Sequence, residues 1–388
     1  MYSGSYVFPR VERVVFGRDA ADVVTEEAIR GGSERVFVLV PELLQRADVV
    51  QRIAEALGAR HAGTWSGITA HTPREDVVAA TAAARAAGAD LLVTLGGGSI
   101  IDAGKVVQTC LANDVVDVSQ LDALRKLPGD PMTSVRAGMK PPKVRTIAVP
   151  TTLAGAEFTQ YAGVTNAQIK LKEVFTHPLQ TPKAVVLDPH ATVSTPDWLW
   201  LSTGIRALDH AVEDICSIDA QPFSEGSAMQ AIRLLSRALP ATFKDRSGLE
   251  ARLDAQIGCW LSLIGSQTGV NKGASHAIGH ALGGTGGVPH GYTSCVLMPH
   301  VLRFNEPAVA RRQALISEAF GQAGANAADL VAALIEGLGL PRTLRDVGIT
   351  TDAQIEAITD ASMQDPWIKT NPRPMDRAQV RAILEAAR

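Results

Sequence analysis

The turn in LLVTLGGGSIIDAGK, residues 91–105, constrains the fold of this chain more than any other feature. An apolar run ends in Gly96, Gly97 and Gly98, and a helical period begins just after Ser99. Glycines let the backbone turn sharply and approach a ligand closely, and the helix that follows offers unpaired N–H groups at its positive end. A strand feeding straight into a helix is half of a βαβ unit, and the rest of the first half repeats the theme. RVFVLV (35–40) reads as a buried strand before the helical ADVVQRIAEALGA. DLLVTLG (90–96) precedes the helix IIDAGKVVQTCLA (100–112), and KVRTIAVP (143–150) and AVVLD (184–188) add two more strands. Apolar strands alternating with helices imply a parallel sheet covered on both faces.

From about residue 196 the period is helical almost throughout, as in PFSEGSAMQAIRLLSRAL. The boundary is expected near 191, after the LDP turn, giving an α/β domain over 1–191 and an all-helical domain over 192–388. Residues 113–142 have weak periodicity and read as a long surface excursion. RVERVVFG near the N-terminus is an expected edge strand that would pair between subunits of a homodimer. A formal net charge of −3 gives no reason to expect nucleic acid or an anionic membrane as partner. No apolar run is long enough to cross a bilayer, and MYSGSYVFPRVERVVFG has no basic segment leading into an apolar one, so no secretion signal is expected. Cys110, Cys216, Cys259 and Cys295 lack CxxC spacing and are expected to be buried free thiols of a cytoplasmic protein.

The glycine turn departs from the dinucleotide fingerprint GxGxxG, because Ile101 stands where the third glycine belongs, and it lacks Walker spacing. It is either a phosphate cradle or a tight βα turn that binds nothing. AVPTTLAGAE (148–157) strengthens the first reading by placing Thr151 and Thr152 after a strand, at the edge where parallel sheets bind ligands. Lys170 follows in a polar stretch, either to meet phosphate or ribose or simply as a solvated lysine. In the second half, Arg206 and His210 are four apart and share a helix face, as do His276 and His280 in HAIGH; His290 follows in VPHG. Several histidines at this spacing among small residues favour a site over isolated core histidines. HAIGH lacks the glutamate of a zinc-protease helix, which disfavours peptide hydrolysis.

Taken in order, GGGSIIDAGK, VPTTLAGAE, GIRALDHAVE, SHAIGHALGGTGGVPHG and TNPRPM (370–375) resemble the iron-containing alcohol dehydrogenase family. AHTP (70–73) and the run from Tyr161 to Asp188 are similar to its maleylacetate reductase branch. The resemblance implies the dehydroquinate synthase-like fold of that family: a nucleotide-binding α/β domain, a helical domain, and a cleft where NAD or NADP meets a carbonyl substrate. It implies that Gly97, Gly98 and Ser99 form the pyrophosphate turn, that Asp102 lies near the nicotinamide ribose, and that Thr151, Thr152 and Leu153 line the cofactor cleft. Lys170 matches a lysine near the cofactor ribose. His210, His276 and His290 match three of four metal-ligand positions, and His280 matches a histidine given a proton-relay role. The fourth ligand position is normally aspartate. Here it is Arg206.

That exchange removes a carboxylate and adds a fixed cation. Two unit charges about 4 Å apart repel by about 4 kcal/mol at an effective dielectric of about 20, and a divalent ion feels twice that. Asp209, a conceivable replacement ligand, lies about 100° around the helix from His210. The resemblance, taken with this exchange, implies an NAD(P)H-dependent reductase of a small carbonyl compound, such as the oxo-acid maleylacetate, working without a catalytic metal. Arg206 and imidazole N–H groups would steady the oxyanion, or Arg206 would grip a substrate carboxylate, with His280, His210 or His290 giving the proton. The competing structural role for Arg206 is to fill the metal cavity and pair with Asp209 or Glu213. Glu42, just past the strand RVFVLV, would accept from a ribose hydroxyl and favour NAD, but it sits one residue off the usual acidic position, so NADP stays open. A metal-dependent alcohol dehydrogenase, a sugar-phosphate cyclase-like lyase and a non-catalytic dinucleotide-binding protein are the other readings.

Overall fold

Runs of β-branched and aliphatic residues that are buried on both faces can only satisfy their backbone in the middle of a covered sheet. The computed structural model, which describes residues 6, 8–127, 129–130, 134–169 and 171–388, has such a sheet. Its strands are β1 (Arg13–Phe16), β2 (Val36–Leu39), β3 (His61–Trp65), β4 (Leu91–Gly96) and β5 (Arg145–Pro150); an antiparallel hairpin of β6 (Tyr161–Asn166) and β7 (Leu171–Thr176) stands apart; β8 (Ala184–Leu187) returns to the sheet. The order is β1-β8-β5-β4-β2-β3, all parallel. β1 lies at an edge, as its sequence suggested. β3 and the hairpin escaped the sequence reading, and β3 did so because HAGTW is only partly buried and carries no run of β-branched residues.

Alternate residues of one strand serve two cores. Val36, Val38 and Val40 face α1 (Ala20–Arg30) and α2 (Asp48–Leu57), while Phe37 and Leu39 face α3 (Arg74–Ala86) and α4 (Gly98–Ala112). The segment 113–142 is not wholly superficial. Val115, Leu121 and Leu124 are buried in the second of these cores, and Leu121 sits in a short 3₁₀ turn that Asp117 and Gln120 cap reciprocally.

The chain divides into two compact units, residues 9–194 and 195–388, with Tyr6 and Phe8 clustering with the second. The division falls after Ser194 rather than after 191, because the 3₁₀ turn His190–Thr192 buries Ala191 in the first unit's core. The second unit is helical: α5 (Asp197–Cys216), α6 (Pro222–Lys244), α7 (Leu249–Ser262), the short α8 (Ile264–Gln267), α9 (Ala274–Gly284), α10 (His290–Ala319), α11 (Ala327–Gly337), α12 (Asp352–Ser362) and α13 (Arg377–Ala386). α5 is buried on nearly all sides from Trp200 onward, charged residues included, which marks it as the central helix. α10 kinks at Val309, two residues past Pro307, whose ring cannot continue the hydrogen-bond ladder.

Within the first unit, α4 lies so close to the sheet that a Cβ on Gly104 would fall 2.2 Å from Thr94 Cγ2. Alanine there would improve helix propensity by about 1 kcal/mol but force helix and sheet apart, a cost of about 1–3 kcal/mol or more. Gly104→Ala is therefore expected to lower the denaturation midpoint with an unchanged m value. An unchanged or raised midpoint would contradict the close approach.

Candidate functional site

The first unit brings its glycine and threonine motifs together. β4 and β5 end side by side, and Thr151 N–H donates to the carbonyl of Gly96 at 3.0 Å. A Cβ on Gly96 would fall 2.8 Å from Ile100 Cγ1, and one on Gly97 3.1 Å from Thr152 Cγ2, so the turn needs its missing side chains. Gly97 caps α4 without a side-chain hydrogen bond, so no capping side chain meets the first-turn N–H groups of Gly98 and Ser99. Thr151, Thr152 and Leu153 are buried beside this turn. Glu42 is exposed at the start of a short 3₁₀ turn past β2, and Pro41 Cδ comes within 3.2 Å of the Gly96 Cβ position. Asp102 is occupied: its Oδ2 accepts the Gly163 N–H at 3.0 Å, and Oδ1 lies 3.7 Å from Lys105 Nζ. Lys170 lies outside the described residues.

Two residues near this turn lie in quoted motifs but were given no role by the sequence. Thr72, in AHTP, donates to the carbonyl of Ser99 at 3.0 Å from a left-handed backbone, φ 56°, next to His71 at φ 66°. Lys105 is fully buried and donates to the carbonyls of Ala156 and Tyr161, both at 2.6 Å, tying α4 to the segment after β5. Neither a buried lysine nor a left-handed threonine has a sequence signature, since both depend on what packs around them.

In the second unit, α5 presents Arg206, Asp209, His210 and Glu213, at spacings of three and four, toward α9 and the start of α10. Arg206 is buried; its Nη1 donates to Ser294 Oγ at 3.0 Å and lies 3.7 Å from Asp209 Oδ2. That carboxylate oxygen also accepts from Ser294 Oγ at 2.6 Å and Ser275 Oγ at 2.8 Å. The pairing of Arg206 with Asp209, set against a catalytic role in the sequence reading, is thus present. Glu213 caps α9, accepting from the N–H groups of Gly273 at 3.0 Å and Ser275 at 2.8 Å, and its Oε2 stands 2.7 Å from His276 Nδ1. The sequence offered Glu213 only as a partner for Arg206. Lys272 ion-pairs with Asp214 and donates to the carbonyl of His210 at 3.1 Å.

Burial dominates the electrostatics. It pushes the Glu213 carboxyl up to about 8, helped by the neighbouring Asp209 charge. It also raises Asp209, against the pull of Arg206. Both His210 and His276 are held well below the usual imidazole range, first by burial and then by the Lys272 and Arg206 cations. They are neutral rings, 4.8 Å apart between centroids. Among the described residues, Nδ1 of His210 and Nε2 of His276 are buried without a hydrogen-bond partner.

His280 and His290 are exposed beside this interior. Their rings stack at 6.1 Å with an interplanar angle of 12°, and Trp367 flanks His280 at 5.1 Å and His276 at 5.7 Å. His280 Nδ1 meets Asp365 Oδ2 at 2.8 Å. The structure therefore gathers Arg206, His210, His276, His280 and His290 into one cluster, and adds Asp209, Glu213, Asp365 and Trp367 to it. Asp365 had one available signal, the Asp-Pro that starts a helical turn.

The family description "Iron-containing alcohol dehydrogenase" matches residues 11–189, and "Fe-containing alcohol dehydrogenase family, C-terminal" matches residues 200–388. Dehydrogenase FUM7 of Gibberella moniliformis is 35% identical over 390 residues, covering 92% of this chain and 91% of its own. Maleylacetate reductase of Sphingobium indicum is 32% identical, covering 98% and 96%. The crystal structure of maleylacetate reductase from Agrobacterium tumefaciens superimposes with a TM-score of 0.83 at 28% identity, over 100% of this chain and 98% of the other.

Beside Lys105, Glu157 is buried, and burial pushes its carboxyl up to about 7 from the usual 4.5. A raised carboxyl favours the folded state only while protonated. Its contribution is full below about 4.5 and is lost as pH rises through 7, a swing of up to about 3 kcal/mol. Glu157→Gln should therefore gain thermal stability relative to the parent between pH 5 and pH 8. An equal difference at both pH values would contradict the assignment.

Proposed function

Because the chain belongs to the iron-containing alcohol dehydrogenase family, we propose that it is an NAD(P)H-dependent oxidoreductase that reduces a small oxo-acid, maleylacetate or a close analogue, without a catalytic metal. The observation that carries this reading is Arg206, a buried guanidinium at the position where the resemblance calls for a ligand carboxylate. Relatives named maleylacetate reductase over nearly their whole length support the substrate class. The bare-glycine turn and uncapped α4 N-terminus fit a dinucleotide pyrophosphate, with Gly97, Gly98 and Ser99 as its holders. When bound, the nicotinamide supplies a hydride.

The residues present do not fit a divalent cation. Asp209, Glu213 and His276 bring donor atoms within 4.8 Å of one another, but apart from Asp209 Oδ1 and His276 Nε2 those atoms are already engaged. Asp209 takes two serine hydroxyls, while Glu213 takes two backbone N–H groups and His276 Nδ1. The unpartnered nitrogens of His210 and His276 sit in a field already made positive by Arg206 and Lys272. A unit cation about 4 Å away costs a divalent ion on the order of 8 kcal/mol at an effective dielectric of about 20.

What a Lewis acid would do falls to protein groups. As the carbonyl carbon accepts hydride, its π electrons move to oxygen, and fixed donors stabilise the charge. Arg206, anchored through Nη1 to Ser294 and Asp209, acts as a fixed charge rather than a mobile clamp. His280, exposed and carboxylate-bound, is the proton donor. We also propose a cytoplasmic homodimer, with β1 as the edge strand and four buried free cysteines as the compartment signal. Among the described residues no helix is long and apolar enough to cross a membrane.

A screen of oxo-acids, aldehydes and ketones for oxidation of NADH and NADPH tests the activity and the cofactor preference together. Arg206→Ala should lower kcat/KM at least tenfold, about 1.4 kcal/mol of transition-state stabilisation. Arg206→Lys should recover only part of it, since the ammonium keeps the charge without the planar fork. Unchanged kinetics in the alanine variant would remove Arg206 from the mechanism. Exhaustive chelation should leave activity intact; a loss restored by Fe²⁺ or Zn²⁺ would favour the metal-dependent reading.

A further inference from the structure

His280 is the exposed histidine of the cluster with a carboxylate behind it. Its Nδ1 lies 2.8 Å from Asp365 Oδ2, and its ring is flanked by His290 at 6.1 Å and Trp367 at 5.1 Å. The other oxygen of Asp365 is committed too: Oδ1 accepts the Trp367 N–H at 2.9 Å and so caps the 3₁₀ turn Pro366–Thr370. One side chain therefore holds both the imidazole and the backbone N–H of Trp367, the residue whose ring flanks it. An ionised carboxylate only accepts hydrogen bonds, so the nitrogen facing it must carry the proton. That leaves Nε2 as the atom that gives or takes a proton.

From this geometry we infer that Asp365 is the positioning residue for proton transfer: it fixes His280 as the Nδ1–H tautomer and turns Nε2 toward the substrate. The inference rests on the reductase reading above. In the reduction, the hydride's electron pair forms the new C–H bond and the carbonyl π pair moves onto oxygen. The oxygen then takes the Nε2 proton of a His280 imidazolium. The ring is left neutral with its Nδ1–H still donated to Asp365, the oxidised cofactor departs, and a solvent proton recharges Nε2. Asp365 never loses or gains a proton. It holds the ring in plane and stabilises the cation before transfer.

Asp365→Asn separates this role from a structural one. Asparagine caps a helical turn as well as aspartate does, so Oδ1 can stay on the Trp367 N–H. The amide then turns its NH₂ toward His280 Nδ1, and two donors cannot face each other. The ring must move its proton to Nε2, the reverse tautomer. The experiment is ¹⁵N-histidine NMR of the full-length protein, with His280 assigned through His280→Gln, alongside steady-state kinetics with the best oxo-acid from the screen.

The parent should carry the proton on Nδ1, and Asp365→Asn should carry it on Nε2. The variant's kcat should fall about a hundredfold or more, within the range of general acid–base contributions, while KM for substrate and cofactor stays within about threefold. Asp365→Glu, which keeps the carboxylate, should recover part of the rate. A parent His280 protonated on Nε2 alone, or an asparagine variant as fast as the parent, would overturn the role of Asp365 and leave the reductase reading standing. A parent that oxidises neither NADH nor NADPH with any carbonyl compound would overturn both, whatever the tautomer.

Discussion

A guanidinium buried beside a carboxylate organises the second unit. Taking Arg206 out of water costs several kcal/mol unless partners meet it, and α5 supplies only one of them. Asp209 comes from the same helix, Ser294 from α10, and Ser275, which shares the Asp209 oxygen, from α9. The charge pair thus links three helices, α5, α9 and α10, and those helices carry the imidazoles. Gly279 belongs to the same arrangement: a Cβ there would lie 3.4 Å from Arg206 Nη1 and 3.1 Å from Thr293 Oγ1. The small residues of HAIGH are therefore spacing as much as flexibility.

In the proposed reaction the cluster separates fixed charge from proton transfer. Inside, Arg206 and Lys272 face Asp209 and Asp214, and the burial-raised Glu213 braces a neutral His276. Nothing in that interior needs to change its protonation for the positive field to persist. At the rim, His280 is exposed on one side and has a carboxylate on the other, which suits the proton donor proposed above. The first unit contributes a different kind of preorganisation, in which absent side chains and N–H groups without a side-chain cap suit the pyrophosphate proposed to bind there.

Much of this was legible because the signals were local. Strand runs such as RVFVLV and KVRTIAVP, the glycine turn and the i, i+4 pairs Arg206/His210 and His276/His280 depend only on residue type and spacing, and each became the expected element. The misses were tertiary. β3 lacks a strand-like sequence; the domain boundary moved because Ala191 packs into the preceding core; Leu121 is buried in a segment with no periodicity. Glu213 and Asp365 each draw their importance from a backbone N–H and a ring nitrogen on another element, which no single-chain pattern reveals. Asp209 looked turned away from His210, and it is, yet that direction points it at Ser275 and Ser294.

The central claim is that a permanent cation stands where an ion would otherwise bind. Calorimetric titration of the chain with Zn²⁺, beside an Arg206→Asp variant, tests it most directly. The account predicts no stoichiometric binding by the parent and the appearance of a one-to-one site in the aspartate variant. Tight one-to-one binding by the parent, abolished by His276→Ala, would contradict it.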